Sequence, residues 1–209
     1  MPTNDSALTA LLRTIAAGDT PAALRRLAAS PELAWTRVEA GATRQSARDH
    51  FFEEIRHYAY AGDTALHIAA AGYRCEIGTR LIAAGADVRA RNRRGAEPLH
   101  YAADGSPGWP AWDPVAQAAT IACLVAAGAD PNALDKSGVA PLHRAVRTRS
   151  AAAVRALLEA GADVNLPNRS GSTPLRLASL TTGRGGSGSP ESKTQQAEIV
   201  RMLERCSAR

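Results

Sequence analysis

The segment Gly138-Val-Ala-Pro-Leu-His-Arg-Ala-Val146, followed by Val154-Arg-Ala-Leu-Leu-Glu-Ala-Gly-Ala-Asp-Val-Asn165, recurs in degenerate form along most of this chain. The other copies open as Gly62-Asp-Thr-Ala-Leu-His-Ile-Ala-Ala70, Gly95-Ala-Glu-Pro-Leu-His-Tyr-Ala-Ala103 and Gly171-Ser-Thr-Pro-Leu-Arg-Leu-Ala-Ser179. Their leading glycines are 33, 43 and 33 residues apart, so the middle interval is one period plus ten inserted residues. Each unit of such an array buries its apolar face only against its neighbours, and the stack offers a long surface suited to binding rather than catalysis.

Of the 209 residues 45% are hydrophobic but only 4% are aromatic, which suits closely stacked small-residue helices better than one large core. The net charge of +5 rests on arginine, with lysine only at 136 and 193, and tilts the surface towards acidic partners. Cys75, Cys123 and Cys206 are an odd number without a Cys-x-x-Cys spacing, which argues against a disulfide framework or zinc knuckle and for inert thiols in a reducing compartment. The first residues, Met-Pro-Thr-Asn-Asp, lack the apolar run of a secretory signal, and no stretch has the length of a membrane span. The expected location is the cytoplasm, and the Arg- and Ala-rich usage points to a bacterial source.

Within each period Leu66, Leu99, Leu142 and Leu175 open a short helix. A second helix carries Ile77, Leu81 and Ile82, then Ile121, Leu124 and Val125, then Val154, Leu157 and Leu158 at helical spacing. It stops at Gly85, Gly128 or Gly161, where a left-handed residue is favoured, and Gly-Ala-Asp leads into an extended finger.

From Tyr58 to Arg205 this pattern resembles the ankyrin repeat, whose signature is Thr-Pro-Leu-His-x-Ala on a 33-residue period. The resemblance implies that Thr caps the first helix, that Pro sits in its first turn and that His hydrogen-bonds backbone near the finger. Thr64 and Thr173 match the cap, whereas Glu97 and Ala140 replace it; Ala65 replaces the proline and Arg176 the histidine. The expected fold is an all-α ankyrin-repeat solenoid of stacked helix pairs with β-hairpin-like fingers and capping units at both ends. Its divisions are a capping helix pair at 1–34, an irregular connector or long finger at 35–59, and repeats at 60–91, 92–134, 135–167 and 168–205, all in one continuous domain. Ile199, Met202 and Leu203 form the inward face of the last helix, which lacks a following finger, as a cap would.

Two further insertions, 104–114 and 181–192, interrupt turns between the helices of a pair. The first carries Trp109 and Trp112, which either anchor a partner or fold down over their own unit. The second is glycine-rich over Gly183 to Ser189 but lacks the Lys-Ser/Thr of a phosphate loop and reads as a flexible tether. In the connector, His50, Glu53, Glu54 and His57 would share a helical face, yet two further metal ligands are missing, and an amphipathic linker packing Phe51, Phe52 and Ile55 explains them as well. His67, His100 and His143 recur at one repeat position, which is the mark of a structural role. No nucleophile–base pairing or paired carboxylates are visible, so no catalysis, cofactor, metal or small-molecule substrate is expected.

The functional expectation is a non-catalytic protein-interaction module, scaffold or regulator, binding a partner with an acidic surface through finger tips and the concave inner-helix surface. The residues expected to carry it are Tyr60, Arg91, Arg93, Arg94, Lys136, Arg147 and Arg169, with Trp109 and Trp112. The alternative partner is nucleic acid on the same Arg-rich strip, which sparse aromatics and interspersed acids disfavour.

Overall fold

Ten α-helices form among the residues described by the computed structural model, which are 4–180 and 190–207. The first pair is α1 (Asn4–Ala17) and α2 (Thr20–Ala29), with Asp19 accepting the Ala22 amide at the break and Pro21 in the first turn of α2. The repeats follow as α3 (Ala65–Ala71) with α4 (Cys75–Ala83), α5 (Pro98–Ala102) with α6 (Pro114–Ala126), α7 (Pro141–Arg147) with α8 (Ala151–Glu159), and α9 (Pro174–Ser179) with α10 (Pro190–Ser207). Pro190, Glu191 and Ser192, expected in the last insertion, instead begin α10. The tether expected over Gly183 to Ser189 lies outside the described residues.

The odd-numbered helices touch in sequence as one layer and the even-numbered helices as a second, and each helix also packs on the other member of its pair. Leu66, Leu99 and Leu142 fill the seam between layers from the inner side, and Ile77, Leu81, Ile121, Leu124, Val154 and Leu157 fill it from the outer side, all buried. Alanines at 69, 70, 102, 103 and 145, also buried, let adjacent helices approach closely. After the outer helices the chain turns through Gly128 and Gly161 at φ +99° and +87°, a conformation that costs glycine little.

The histidines explain how the inner helices start. In α3, α5 and α7 the Nδ1 of His67, His100 and His143 accepts the backbone N–H of Thr64, Glu97 and Ala140 at 3.1, 3.1 and 3.2 Å. Their Nε2 atoms then donate to the carbonyls of Ala96, Val139 and Ser172, each in the next unit, at 3.1, 3.0 and 3.1 Å. Each imidazole is thus a neutral bridge between repeats, with the proton on Nε2. Burial pushes all three pKa values below the ordinary histidine value, to about 4 for His100.

Thr173 caps α9 through its hydroxyl, which accepts the Arg176 amide at 3.3 Å, whereas Ala140 brings no acceptor to the start of α7. Ala140→Thr should therefore raise the urea midpoint, by about 0.5–2 kcal/mol in stability. A midpoint equal to or below the parent's would show that the buried position has no room for the hydroxyl.

The segment at 35–64 is an extended finger, not a helix. Val38 donates to Asp63, Gly62 to Val38 and Ala42 to Ala59, so the two arms pair along their length. Beyond them β1 (Phe51–Phe52) pairs antiparallel with β2 (His57–Tyr58). A Cβ on Gly41 would stand 2.2 Å from the Ala61 nitrogen, so the arms cross there with no space for a side chain.

The cysteine expectation is overturned. Cys75 and Cys123 form a disulfide between α4 and α6, with Cα atoms 6.3 Å apart, and Cys206 remains free and exposed. Forty-eight residues separate the pair in sequence, so no local spacing announces it; stacking of the outer helices brings the two together.

Candidate functional site

The finger tips form one continuous edge. Asn92, Asp135 and Asn168 each accept, through the side-chain Oδ1, the backbone amides two and four residues ahead, building the same tight turn three times. Consecutive tips are joined by main-chain bonds, Arg93 N–H to the Ala61 carbonyl and Lys136 N–H to the Arg94 carbonyl, both at 2.9 Å. A Cβ on Gly138, itself at φ +69°, would meet the Arg169 nitrogen at 2.7 Å, so the next tip is just as close. This register sets Arg93, Lys136 and Arg169 at the same place on successive turns, directly after Asn92, Asp135 and Asn168. All three side chains are exposed.

The other expected site residues divide between surface and scaffold. Arg94 is exposed, with its guanidinium 4.1 Å from the ring centre of half-buried Tyr60, and Arg93 lies 5.7 Å from the same ring. Arg93 also donates to the Ala42 carbonyl at 2.6 Å, and Arg91 to the carbonyls of Gly95 and Leu134. These two arginines therefore help hold the fingers together. Arg147 is exposed at the far end of α7, a helix length away from the tips. Trp109 and Trp112 are half-buried: Arg56 lies over Trp109 at 5.9 Å, and the Trp112 indole N–H donates to Gln117 at 3.0 Å.

Three acids near this edge face inward, while Asp87 and Asp163 at the start of their fingers are exposed. Asp63 is fully buried and accepts from both Tyr101 and Asn92, while Asp104 and Asp135 both pair with Arg144 at 3.1 and 3.3 Å. Burial works against the charge on Arg144, but Asp104 and Asp135 outweigh it and hold its pKa above the ordinary guanidinium value. Burial likewise works against the Asp135 carboxylate, and the amides of Val139 and Ser137 together with Arg144 outweigh it and lower its pKa. Among the described residues no carboxylate pairs with Lys136 or Arg169.

The inner-helix side is less open than the repeat pattern suggests. The hairpin of the long finger lies across α3 and α5: the His57 ring stacks 4.4 Å from Tyr101, and Ile55 reaches to 3.0 Å of where a Cβ on Gly72 would stand. Burial holds the His57 pKa below the usual value despite Asp104 at 4.0 Å. His50 and His57 do not share a helical face, and among the described residues no cluster of three His, Cys, Asp or Glu side chains converges as metal ligands would.

A family model described as an ankyrin repeat matches residues 61–93, and one described as ankyrin repeats in many copies matches residues 124–178. This is an ankyrin repeat protein. Ankyrin repeats are generally protein–protein interaction modules. The stretch between the two matched segments holds the insertion after α5, part of which lengthens α6 to 13 residues against nine in α4 and α8. No curated protein matches the chain. No helix among the described residues is long and apolar enough to cross a membrane.

The sequence reading missed Asn92, Asp135 and Asn168 as builders of the edge. Their signal was present: each stands three residues before Gly95, Gly138 or Gly171. It also missed Trp35, 52% exposed and packed beside Gly85.

Proposed function

We propose that this ankyrin repeat protein is a non-catalytic binding module that receives an acidic protein surface along its finger edge. The observation that supports this is the column of Arg93, Lys136 and Arg169, at the same place on successive tips, beside Asp63, Asp104 and Asp135, which are engaged internally, while the exposed Asp87 and Asp163 stand at the start of their fingers. Because the long finger covers the inner face of α3 and α5, the partner engages the tips and the inner side of α7 and α9, where Arg147 is exposed. The first helix pair closes the stack at one end. No observation favours nucleic acid as the partner. With Cys75 and Cys123 bonded, cysteine usage gives no support to a reducing compartment.

The test reverses Lys136 and Arg169 to glutamate, since Arg93 and Arg91 also hold the fingers and would confound the result. Arg155 is unsuitable as a control because it pairs with Glu198 between α8 and α10; exposed Arg80 on α4 serves instead. In affinity capture from a native lysate, the Lys136→Glu/Arg169→Glu protein should retain its partner roughly tenfold less well than the parent or Arg80→Glu, about 1.4 kcal/mol, with an unchanged melting temperature. Equal retention by all three would remove the finger edge from the account.

A further inference from the structure

The outer layer carries chemistry that binding at the finger edge does not use. The Cys75–Cys123 bond staples α4 to α6, and both residues are half-buried rather than sealed. Together with Arg74, Thr79 and Thr120 they line a small cavity of ≈ 10 Å³. The Thr120 hydroxyl is buried without a hydrogen-bond partner, while the Arg74 guanidinium reaches away to the Ala16 carbonyl at 3.3 Å.

We propose that the Cys75–Cys123 pair is a reversible thiol–disulfide site, opened by a dithiol reductant that attacks Cys123 and expels Cys75. The two sulfurs differ in the way this exchange requires. Cys75 is the first residue of the nine-residue α4, where free amides and the positive end of the helix dipole stabilise a thiolate. Cys123 lies in the last turn of α6, at the negative end of its dipole. The sulfur whose thiolate is better stabilised leaves faster, so the incoming thiolate bonds to Cys123 Sγ and the Sγ–Sγ electron pair departs on Cys75. The reductant's second thiolate then attacks the mixed disulfide and releases Cys123. Two electrons pass from the dithiol, which becomes a disulfide, and both cysteines take up protons according to pH. Reduction unties two consecutive outer helices while the histidine bridges of the inner layer stay in place.

The full chain, prepared without reductant, provides the test, with exposed Cys206 as an internal reference. Iodoacetamide should alkylate Cys206 alone before dithiothreitol treatment and all three cysteines after it. Reduction should lower the melting temperature by about 5–15 °C. In the reduced protein at pH 7 Cys75 should alkylate at least about fivefold faster than Cys123. With limiting glutathione, the trapped mixed disulfide should sit on Cys123. Alkylation of all three cysteines without reductant, an unchanged melting temperature, or glutathione found on Cys75 would each overturn the proposal. The reduced parent supplies the thermal comparison even if Cys75→Ser or Cys123→Ser fails to fold.

Discussion

Between pH 7 and pH 4.5 the protein should lose about 2 kcal/mol of stability through His100 alone, with His67 and His143 adding to the loss. In each bridge Nδ1 accepts a backbone N–H, so a proton placed there removes the acceptor and charges a buried ring. The folded pKa of His100 is about 4 against an ordinary 6.5, so over that window the unfolded chain binds more protons than the folded one. The contribution is therefore complete above pH 6.5 and is lost as the pH falls towards 4. Asp135, with its lowered pKa, loses stability in the same direction as acid is added; Glu97, whose pKa burial raises, runs the opposite way and offsets part of the loss. Urea unfolding at pH 7, 6, 5 and 4.5 reads the effect. A flat profile would mean that the imidazoles are not neutral bridges, and a His100→Gln variant that kept the full slope would assign the protons elsewhere.

The second large effect is expected at Asp63. Its carboxylate is fully buried and accepts the Tyr101 hydroxyl at 2.9 Å, the Asn92 side-chain amide at 2.8 Å and the Tyr60 N–H at 2.6 Å. One side chain thereby ties the long finger, the next finger turn and α5 together. Asp63→Ala should cost about 3–5 kcal/mol, because it strands several buried donors at once. Tyr101→Phe should cost only about 1–2 kcal/mol, since Asp63 keeps its other donors. The double variant should cost less than the sum of the two, which a double-mutant cycle in urea would read. Additive costs would show that the two groups do not share an interaction in solution.

What could be read in advance follows from where periodicity carries information. Ile77, Leu81, Ile121, Leu124, Val154 and Leu157 repeat with the helix period and are buried where that period places them. The three histidines, read as structural because they recur, are structural. The long finger was not decidable, because Phe51, Phe52 and Ile55 satisfy a helical face and a hairpin equally well over so short a run. The disulfide was hidden for a different reason. Cys75 opens a nine-residue helix and Cys123 lies in the last turn of a thirteen-residue one, so they occupy unequal positions in their units and no repeat alignment pairs them. The basic column was half legible: the cations were visible, but Arg91 and Arg93 turned out to spend their donors on neighbouring carbonyls.

The main-chain bonds between finger tips also bear on how such a chain can change length. From Arg93 to Lys136 the sequence runs ten residues further than from Lys136 to Arg169, yet both intervals span a single step of the edge. The surplus is taken up between the end of α5 and the first turn of α6, a helix longer than α4 or α8 and capped by Asp113. Growth at that end of a unit is thus invisible at the other, and the pitch of charges offered to a partner is set by backbone spacing alone. Insertions after an inner helix are free to accumulate there without re-spacing the face that a partner reads.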